Sequence, residues 1–451
     1  MDEEKCIHGL HDIHILSLSS SPITITMYIT TEYTHFYNKT RLDNAVQSAA
    51  AVCVENLSKW AEAIEEIRTW PEYEPQPLHS LPHQAKKLGI NKLFFKDESK
   101  RFGTSLGSFK ALGAPYAVFK ILADQVFSET GSRPTSAELR TGKYMDITQR
   151  VTVCVATDGN QGRGLAYGAK IFGCRCVDYI HNHVSEGRAQ MMKELGAIVI
   201  RIDGEYEASV ERAKEDARMN GWHFVSSTSW SDFDNGIPQN VMNAYMVVVE
   251  EALQMVPAVE EITHVFVCGG VGSIAAAVFL GFFTRYAQIQ ESRGAKPLSP
   301  PRFIVVEPKE ADCLFQSAKK GEMCLSEGSL RTLMAGLACR GPSPAAWKIL
   351  SWLTSDFVAV PDEVAVEGMK ALASGSGGDI PVVCGESSAA NMGVILQAAN
   401  DQIFGDKLGL NSNSQVVLFG LEGATDPAIY EKLVGKTPQE VFEAQQKVSK
   451  L

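Results

Sequence analysis

Apolar positions along the chain fall into two rhythms, and the switch between them marks the elements. From residue 42 to about 70, Val46, Ala49, Ala50, Cys53, Leu57, Trp60, Ala61 and Ile64 recur at steps of three and four, the spacing of one helical face, and Pro71 ends the run. A Pro-bearing connector follows. Next come a short apolar strand at 92–96 and a polar, Gly-bearing loop at 97–108, which leads into a helix opening at Lys110. Beyond a polar stretch at 128–148, the pattern predicts strands at 151–156, 176–180, 198–202 and 224–225, separated by helices at 165–172, 185–195 and 205–220. A second block predicts a helix at 238–255, a strand at 264–268, a Gly turn at 269–273 and a helix to about 289. After a linker at 293–301 come a strand at 303–306, helices at 344–353, 362–372 and 388–399, and a last strand at 416–419.

Strands alternating with helices predict an α/β protein whose sheets are mostly parallel and flanked by helices on both faces. At 451 residues the chain exceeds the usual size of one domain, so two are expected. Residues 1–40 lack a clear period and read as an arm. The formal charge of −11, with no basic run, argues against a nucleic-acid partner. No uninterrupted apolar stretch of membrane-spanning length occurs; the nearest, 265–283, is broken by Gly269, Gly270, Gly272 and Ser273. The start (Met1, Asp2, Glu3, Glu4) is acidic, unlike the basic start of a signal peptide. Ten cysteines without CxxC pairs or metal spacing fit buried thiols in a reducing, cytoplasmic setting and no metal site. Cys313 and Cys339 flank an expected surface insertion and could bridge.

Three segments could carry chemistry. In the first, Lys96-Asp97-Glu98-Ser99 and Arg101-Phe102-Gly103 precede Ser108-Phe109-Lys110, where the lysine opens an apolar helix. A lysine there can be partly desolvated, which frees its amine to form an imine, although a solvated lysine is the ordinary reading of such a position. The second is Thr157-Asp158-Gly159-Asn160-Gln161-Gly162-Arg163-Gly164, directly after a strand. Its glycines would let the backbone approach a ligand, the next helix N-terminus suits an anion, Asn160 could bond a phenolic oxygen, and Asp158 could act as a base or simply cap the helix. The third, Cys268-Gly269-Gly270-Val271-Gly272-Ser273, is a Gly turn between strand and helix that suits a phosphate, or merely packs one on the other. It is not a Walker loop and is only a loose dinucleotide fingerprint.

Taken in order, these segments resemble the fold-type II pyridoxal-5′-phosphate (PLP) enzymes, the superfamily of the tryptophan synthase β-subunit and threonine dehydratase, and within it the diaminopropionate ammonia-lyases. The likeness spans about 35–435 and continues through Val306-Glu307-Pro308, Met334-Ala335-Gly336-Leu337-Ala338-Cys339, Gly385-Glu386-Ser387 and Glu422-Gly423 with Thr425-Asp426. It implies a two-domain enzyme: a large PLP-binding domain from 41–114 and 238–451, and a small domain from 115–237. It further implies that Lys110 carries PLP, that Asn160 bonds the pyridoxal O3′, and that Gly269, Gly270, Val271, Gly272 and Ser273 hold the phosphate. Phe109 and Glu307 belong to the same cofactor site. The implied reaction is α,β-elimination from a small amino acid, 2,3-diaminopropionate to pyruvate and ammonia, with Lys110 and Asp158 moving protons, in a homodimer. A serine or threonine dehydratase, or a β-replacement enzyme, would use the same lysine. A non-catalytic PLP-binding protein is the reading from a different class.

The chain departs from the family pattern at three places. Ser227 stands where the family has a second acidic base, with Asp232 and Asp234 nearby. Gly420-Leu421 replaces small hydroxyl residues suited to the pyridine nitrogen, and Gln161 replaces a histidine. These bear on the substrate, its enantiomer, and elimination against replacement.

Overall fold

The apolar runs pair into two sheets in the computed structural model, which describes residues 33–39, 45–157, 159–226, 236–293 and 300–448. The strands are β1 (Thr34–Tyr37), β2 (Leu78–Ser80), β3 (Lys92–Asp97), β4 (Thr152–Ala156), β5 (Arg175–His181), β6 (Ile198–Ile202), β7 (His223–Phe224), β8 (His264–Cys268), β9 (Arg302–Pro308), β10 (Asp356–Val360) and β11 (Gln415–Gly420). One sheet has seven strands in the order β1-β10-β9-β8-β11-β3-β2; the other has four, β6-β5-β4-β7. Only the two edge pairs of the larger sheet, β1 with β10 and β2 with β3, run antiparallel. The inner strands β8, β10 and β11 are buried at every position, as a sheet covered on both faces requires.

The covering helices that position the site are α1 (Ala45–Arg68), α2 (Lys110–Thr130), α3 (Asn160–Phe172), α4 (Glu186–Glu194), α5 (Tyr206–Asn220), α6 (Gly236–Met255), α7 (Ser273–Arg293), α8 (Cys313–Lys320), α9 (Pro344–Leu353), α10 (Asp362–Ser374) and α11 (Glu386–Asn400). No helix among the described residues is long and apolar enough to cross a membrane.

Several expectations change. Residues 34–37, expected in the arm, form β1, and His35 Nε2 lies 2.8 Å from Asp356 Oδ1 of the neighbouring strand. The polar stretch 128–148 contains two short helices, Ser136–Arg140 and Met145–Thr148. The helix expected from 165 starts at Asn160. Its first turn is held by Thr157 Oγ1, which accepts from the Gly159 and Gly162 N–H groups at 3.0 Å each. The glycines of this segment serve helix packing. A Cβ on Gly164 would stand 2.6 Å from the Lys110 carbonyl oxygen, and one on Gly168 would stand 2.6 Å from Pro115 Cα, so α3 lies directly on the backbone of α2. No disulfide joins Cys313 and Cys339; both are thiols, and Cys313 Sγ donates to the Gly270 carbonyl at 3.5 Å.

Four charges sit together inside the protein where the first candidate segment lies. Lys96 and Glu98 on either side of the β3 terminus, Arg101 in the next turn and Glu251 of α6 are each 0–1 % exposed. Lys96 Nζ donates to Glu98 Oε1 (2.6 Å), Glu251 Oε2 (2.9 Å) and the Gln76 carbonyl (2.9 Å). Arg101 reaches both carboxylates, at 2.8 and 3.0 Å to Glu98 and at 2.6 and 3.0 Å to Glu251. The Tyr73 hydroxyl and the Gln76 N–H complete the shell of Glu251. Two cations and two anions cancel, which is the condition for burying them at all. Burial alone would raise Glu251, but the attraction of Arg101 and Lys96 outweighs it and brings the carboxyl to about 2.

Asp178 on β5 is the opposite case. It is fully buried, Oδ2 has no hydrogen-bond partner, Cys176 Sγ approaches Oδ1 at 3.5 Å, and burial pushes its carboxyl up to about 8.

Glu251→Gln leaves the two cations facing a single carboxylate, and should cost roughly 3–5 kcal/mol in denaturant unfolding at neutral pH. A cost under about 1 kcal/mol would show that the cluster is not held as described. For Asp178 the folded carboxyl is raised, so its contribution is intact at acid pH and is lost as pH climbs through about 8. Asp178→Asn should therefore raise the melting temperature at about pH 8 and change it little at about pH 4.

Candidate active site

The C-terminal ends of β4, β8 and β11 open on one cleft of about 1100 Å³, its mouth included. Strand ends of parallel sheets are where side-chain-bearing loops and helix N-termini meet, and β8 and β11 are neighbours at the middle of the larger sheet. Lys110 enters this cleft from the first residue of α2. Backbone hydrogen bonds fix that entry: Glu98 N–H to the Gly420 carbonyl (2.9 Å), Phe109 N–H to the Leu421 carbonyl (3.0 Å) and Gly423 N–H to the Gly107 carbonyl (2.8 Å). The loop after β3 is thus stitched to the loop after β11. The Phe109 ring packs against Tyr245 of α6 at 4.7 Å between centroids, and Lys110 Nζ stands 5.3 Å from the Phe109 ring.

The Gly turn lines the same cleft as the lysine. Gly269, Gly270, Val271 and Ser273 line it, and Ser273 is the first residue of the 21-residue helix α7. Gly270 and Gly272 have φ of +65° and +94°, a conformation that favours glycine, so the turn is built without side chains where it bends. An anion at this helix N-terminus would gain from its dipole and N–H groups. Gly272 and Glu307 stand behind the wall. A Cβ at Gly272 would strike Leu350 Cδ1 at 2.7 Å, and one at Gly269 would strike Glu307 Cγ at 2.6 Å. Glu307 accepts from Leu314 N–H (3.1 Å) and Phe315 N–H (2.7 Å) at the start of α8, yet complete burial pushes its carboxyl up to about 8.

Asn160 lines the cleft with its amide held at both ends. Its Nδ2 donates to Glu422 Oε2 at 2.5 Å, and its Oδ1 accepts from Arg163 Nη2 at 2.5 Å. Arg163 is anchored in turn on the Ser105 and Leu106 carbonyls at 3.0 Å each. Burial lowers its guanidinium to about 10, so it stays charged at neutral pH. Asp158, Ser227, Asp232 and Asp234 lie outside the described residues.

The structure adds groups to which the sequence reading assigned no role. Arg188, Glu386, Ser387, Ser388 and Glu422 all line the cleft. Ser388 restores a hydroxyl beside Leu421, whose N–H donates to Ser388 Oγ at 3.0 Å. The only sequence signal for them was the family-like pairs Gly385-Glu386-Ser387 and Glu422-Gly423. Three cleft residues more than nine-tenths buried, Gln161, Tyr245 and Ser387, carry side-chain polar atoms with no partner among the described residues. Orphaned polar atoms on a cleft wall, a lysine and a side-chain-free turn at a helix N-terminus together fit a phosphorylated aldehyde cofactor.

Comparisons with known proteins agree. A family model described as pyridoxal-phosphate dependent enzyme matches residues 69–419. The chain is 35% identical over 395 residues to a diaminopropionate ammonia-lyase of Salmonella typhimurium, covering 86% of this chain and 94% of that one. To the diaminopropionate ammonia-lyase of Escherichia coli K12 it is 33% identical over 366 residues, covering 80% and 87%. The crystal structure of the Escherichia coli diaminopropionate ammonia lyase in complex with D-serine matches with a TM-score of 0.77 at 30% identity, covering 90% of this chain and 97% of that one. A threonine deaminase isoform from Solanum lycopersicum, at 17% identity and a TM-score of 0.61 over 84% of this chain and 93% of that one, shares the fold.

Because a Cβ at position 164 meets the Lys110 carbonyl, Gly164→Ala should push α3 off α2, cost roughly 1–3 kcal/mol in urea unfolding, and displace the lysine. Unchanged stability together with unchanged reactivity of the Lys110 amine toward a soluble aldehyde would contradict that contact.

Proposed function

The chain belongs to the pyridoxal-phosphate-dependent enzymes and, among them, to the diaminopropionate ammonia-lyase family, and on that footing we propose that it eliminates ammonia from 2,3-diaminopropionate to give pyruvate and a second ammonia. The observation that carries this reading is that Lys110 and the Gly269–Ser273 turn, far apart in sequence, line one cleft. Pyridoxal 5′-phosphate, when bound, supplies an electron sink for the bonding pair released at the substrate Cα. Lys110 would hold the aldehyde carbon, the turn at 269–273 the phosphate, and Ser388 the ring nitrogen in place of the hydroxyl missing at Gly420-Leu421. Asn160, clamped between Glu422 and Arg163, has a second amide proton with which to orient the phenolic oxygen.

Within that frame Lys110 moves the proton at Cα on one side and Asp158 is its counterpart on the other. Phe109, Tyr245 and Leu337 line the cleft beside Lys110 and would help to exclude water there. In this reading residues 41–114 with 238–451 are the large domain, whose seven-stranded sheet also takes in β1 (Thr34–Tyr37), and 115–237 are the small one, with the four-stranded sheet. Two copies would make a homodimer, in the cytoplasm. The dehydratase and β-replacement readings share the lysine: the first differs in losing a β-hydroxyl, the second in that an added nucleophile takes the place of the lost β-substituent and the α-amino group is kept.

The test is to incubate the holoenzyme separately with D- and L-2,3-diaminopropionate and D- and L-serine, measuring keto acid and ammonia. Pyruvate with two equivalents of ammonia is expected from at least one diaminopropionate enantiomer; keto acid from serine alone would replace the substrate. Lys110→Ala should remove both the visible cofactor absorbance and the keto acid, while Asp158→Asn should slow turnover with the cofactor retained.

A further inference from the structure

One wall of the cleft has no task in holding the cofactor beyond the Glu422 bond to Asn160. Glu386, the first residue of α11, and Glu422, just beyond β11, are each 6% exposed and share a wall of the cleft. Glu422 accepts from Asn160 Nδ2 at 2.5 Å and from the Ser387 N–H at 3.3 Å. Glu386 Oε1 accepts from Arg188 Nη2 of α4 at 3.1 Å. Next to Glu386, Ser387 is 4% exposed and its hydroxyl has no partner. Burial first, and repulsion from Glu422 second, push the Glu386 carboxyl up to about 7; Arg188 offsets only part of this. Two carboxylates and an orphaned hydroxyl on one buried wall form an acceptor-rich surface that the protein's own donors do not saturate.

We propose that Glu386, Glu422 and Ser387 form the subsite for the second ammonium group of the substrate, the one on Cβ. This rests on the function proposed above and deepens it, because it says what distinguishes a diamine from other small amino acids. An ammonium carries three N–H donors and no acceptor, which suits a wall of two carboxylates and a hydroxyl. A hydroxyl or methyl at Cβ would leave carboxylate oxygens buried and unpaired, and sites built for a charged donor reject such analogues strongly. Arg188 acts as a positioning residue, holding Glu386 by one oxygen. Because Arg188 comes from the four-stranded half of the molecule and Glu386 from the seven-stranded half, the subsite is assembled only when both are in place.

The experiment compares diaminopropionate with alanine, which has the same α-amino acid head and no second ammonium. KM for diaminopropionate and the inhibition constant of alanine are measured on the wild-type holoenzyme, Glu386→Gln and Glu386→Asp. Glu386→Gln is expected to raise KM about 10- to 100-fold while the alanine constant stays within about twofold, with Glu386→Asp recovering part of the loss. A parallel rise in both constants, or no rise in either, overturns the proposal. Ser387→Ala, read the same way, keeps the test open if Glu386→Gln fails to fold: a selective rise in KM supports the subsite, and an equal change in both constants sinks it. If the wild type releases no keto acid from either diaminopropionate enantiomer, the proposed reaction falls. The subsite is then judged from titrations of both compounds followed by cofactor absorbance. Loss of the preference for diaminopropionate in Glu386→Gln supports it, and an absent or unchanged preference overturns it.

Discussion

The mutual neutralisation of Lys96, Glu98, Arg101 and Glu251 is the constraint on which the active-site architecture depends. Each of these groups alone would be intolerable at essentially zero exposure, and together they satisfy one another's charges and hydrogen bonds. What the cluster secures is direction. It joins the end of β3, the turn after it, the connector at 73–76 and helix α6, so the loop that leaves β3 has one path to follow. That path ends at Lys110. The cluster does no chemistry, yet without it the lysine would hang on a glycine-bearing loop of uncertain course.

Much of the fold was legible because buried parallel strands advertise themselves as short apolar runs. The strands at Ile198–Ile202 and His264–Cys268 and the helix at Pro344–Leu353 match their sequence readings at both ends. What escaped was either at an edge or decided from far away. β1 is a four-residue, partly exposed strand whose reason for existing is its partner β10, more than three hundred positions later. The start of α3 was hidden because glycines and polar residues weaken helix propensity, while of the features that make it a helix the Thr157 hydroxyl is a local cap and the closeness of α2 is tertiary.

The site divides the same way. The lysine and the Gly turn could be singled out because each carries a local signature, an amine at a helix start and glycines between strand and helix. The motif Lys96-Asp97-Glu98 with Arg101 was equally conspicuous, but sequence gives no sign that Glu251 returns to meet it, so its structural role could not be separated from a chemical one. Glu386, Ser388 and Arg188 had no local signature beyond the family-like triplet Gly385-Glu386-Ser387. They matter because of where three strand ends bring them. Gln161 is the reverse case: a departure visible in sequence acquires meaning from finding its amide buried and unpartnered on the cleft wall.

The backbone bonds between residues 107–109 and 421–423 bear on how the enzyme comes into being on the ribosome. The lysine is made more than three hundred residues before the strand and loop that seat it. Until then β3 lacks its parallel neighbour β11, and the nascent chain exposes an apolar sheet edge instead of a binding cleft. Competence for the cofactor therefore waits on the β11 segment, and a chain that has not yet reached it holds the reactive amine without the means to aim it.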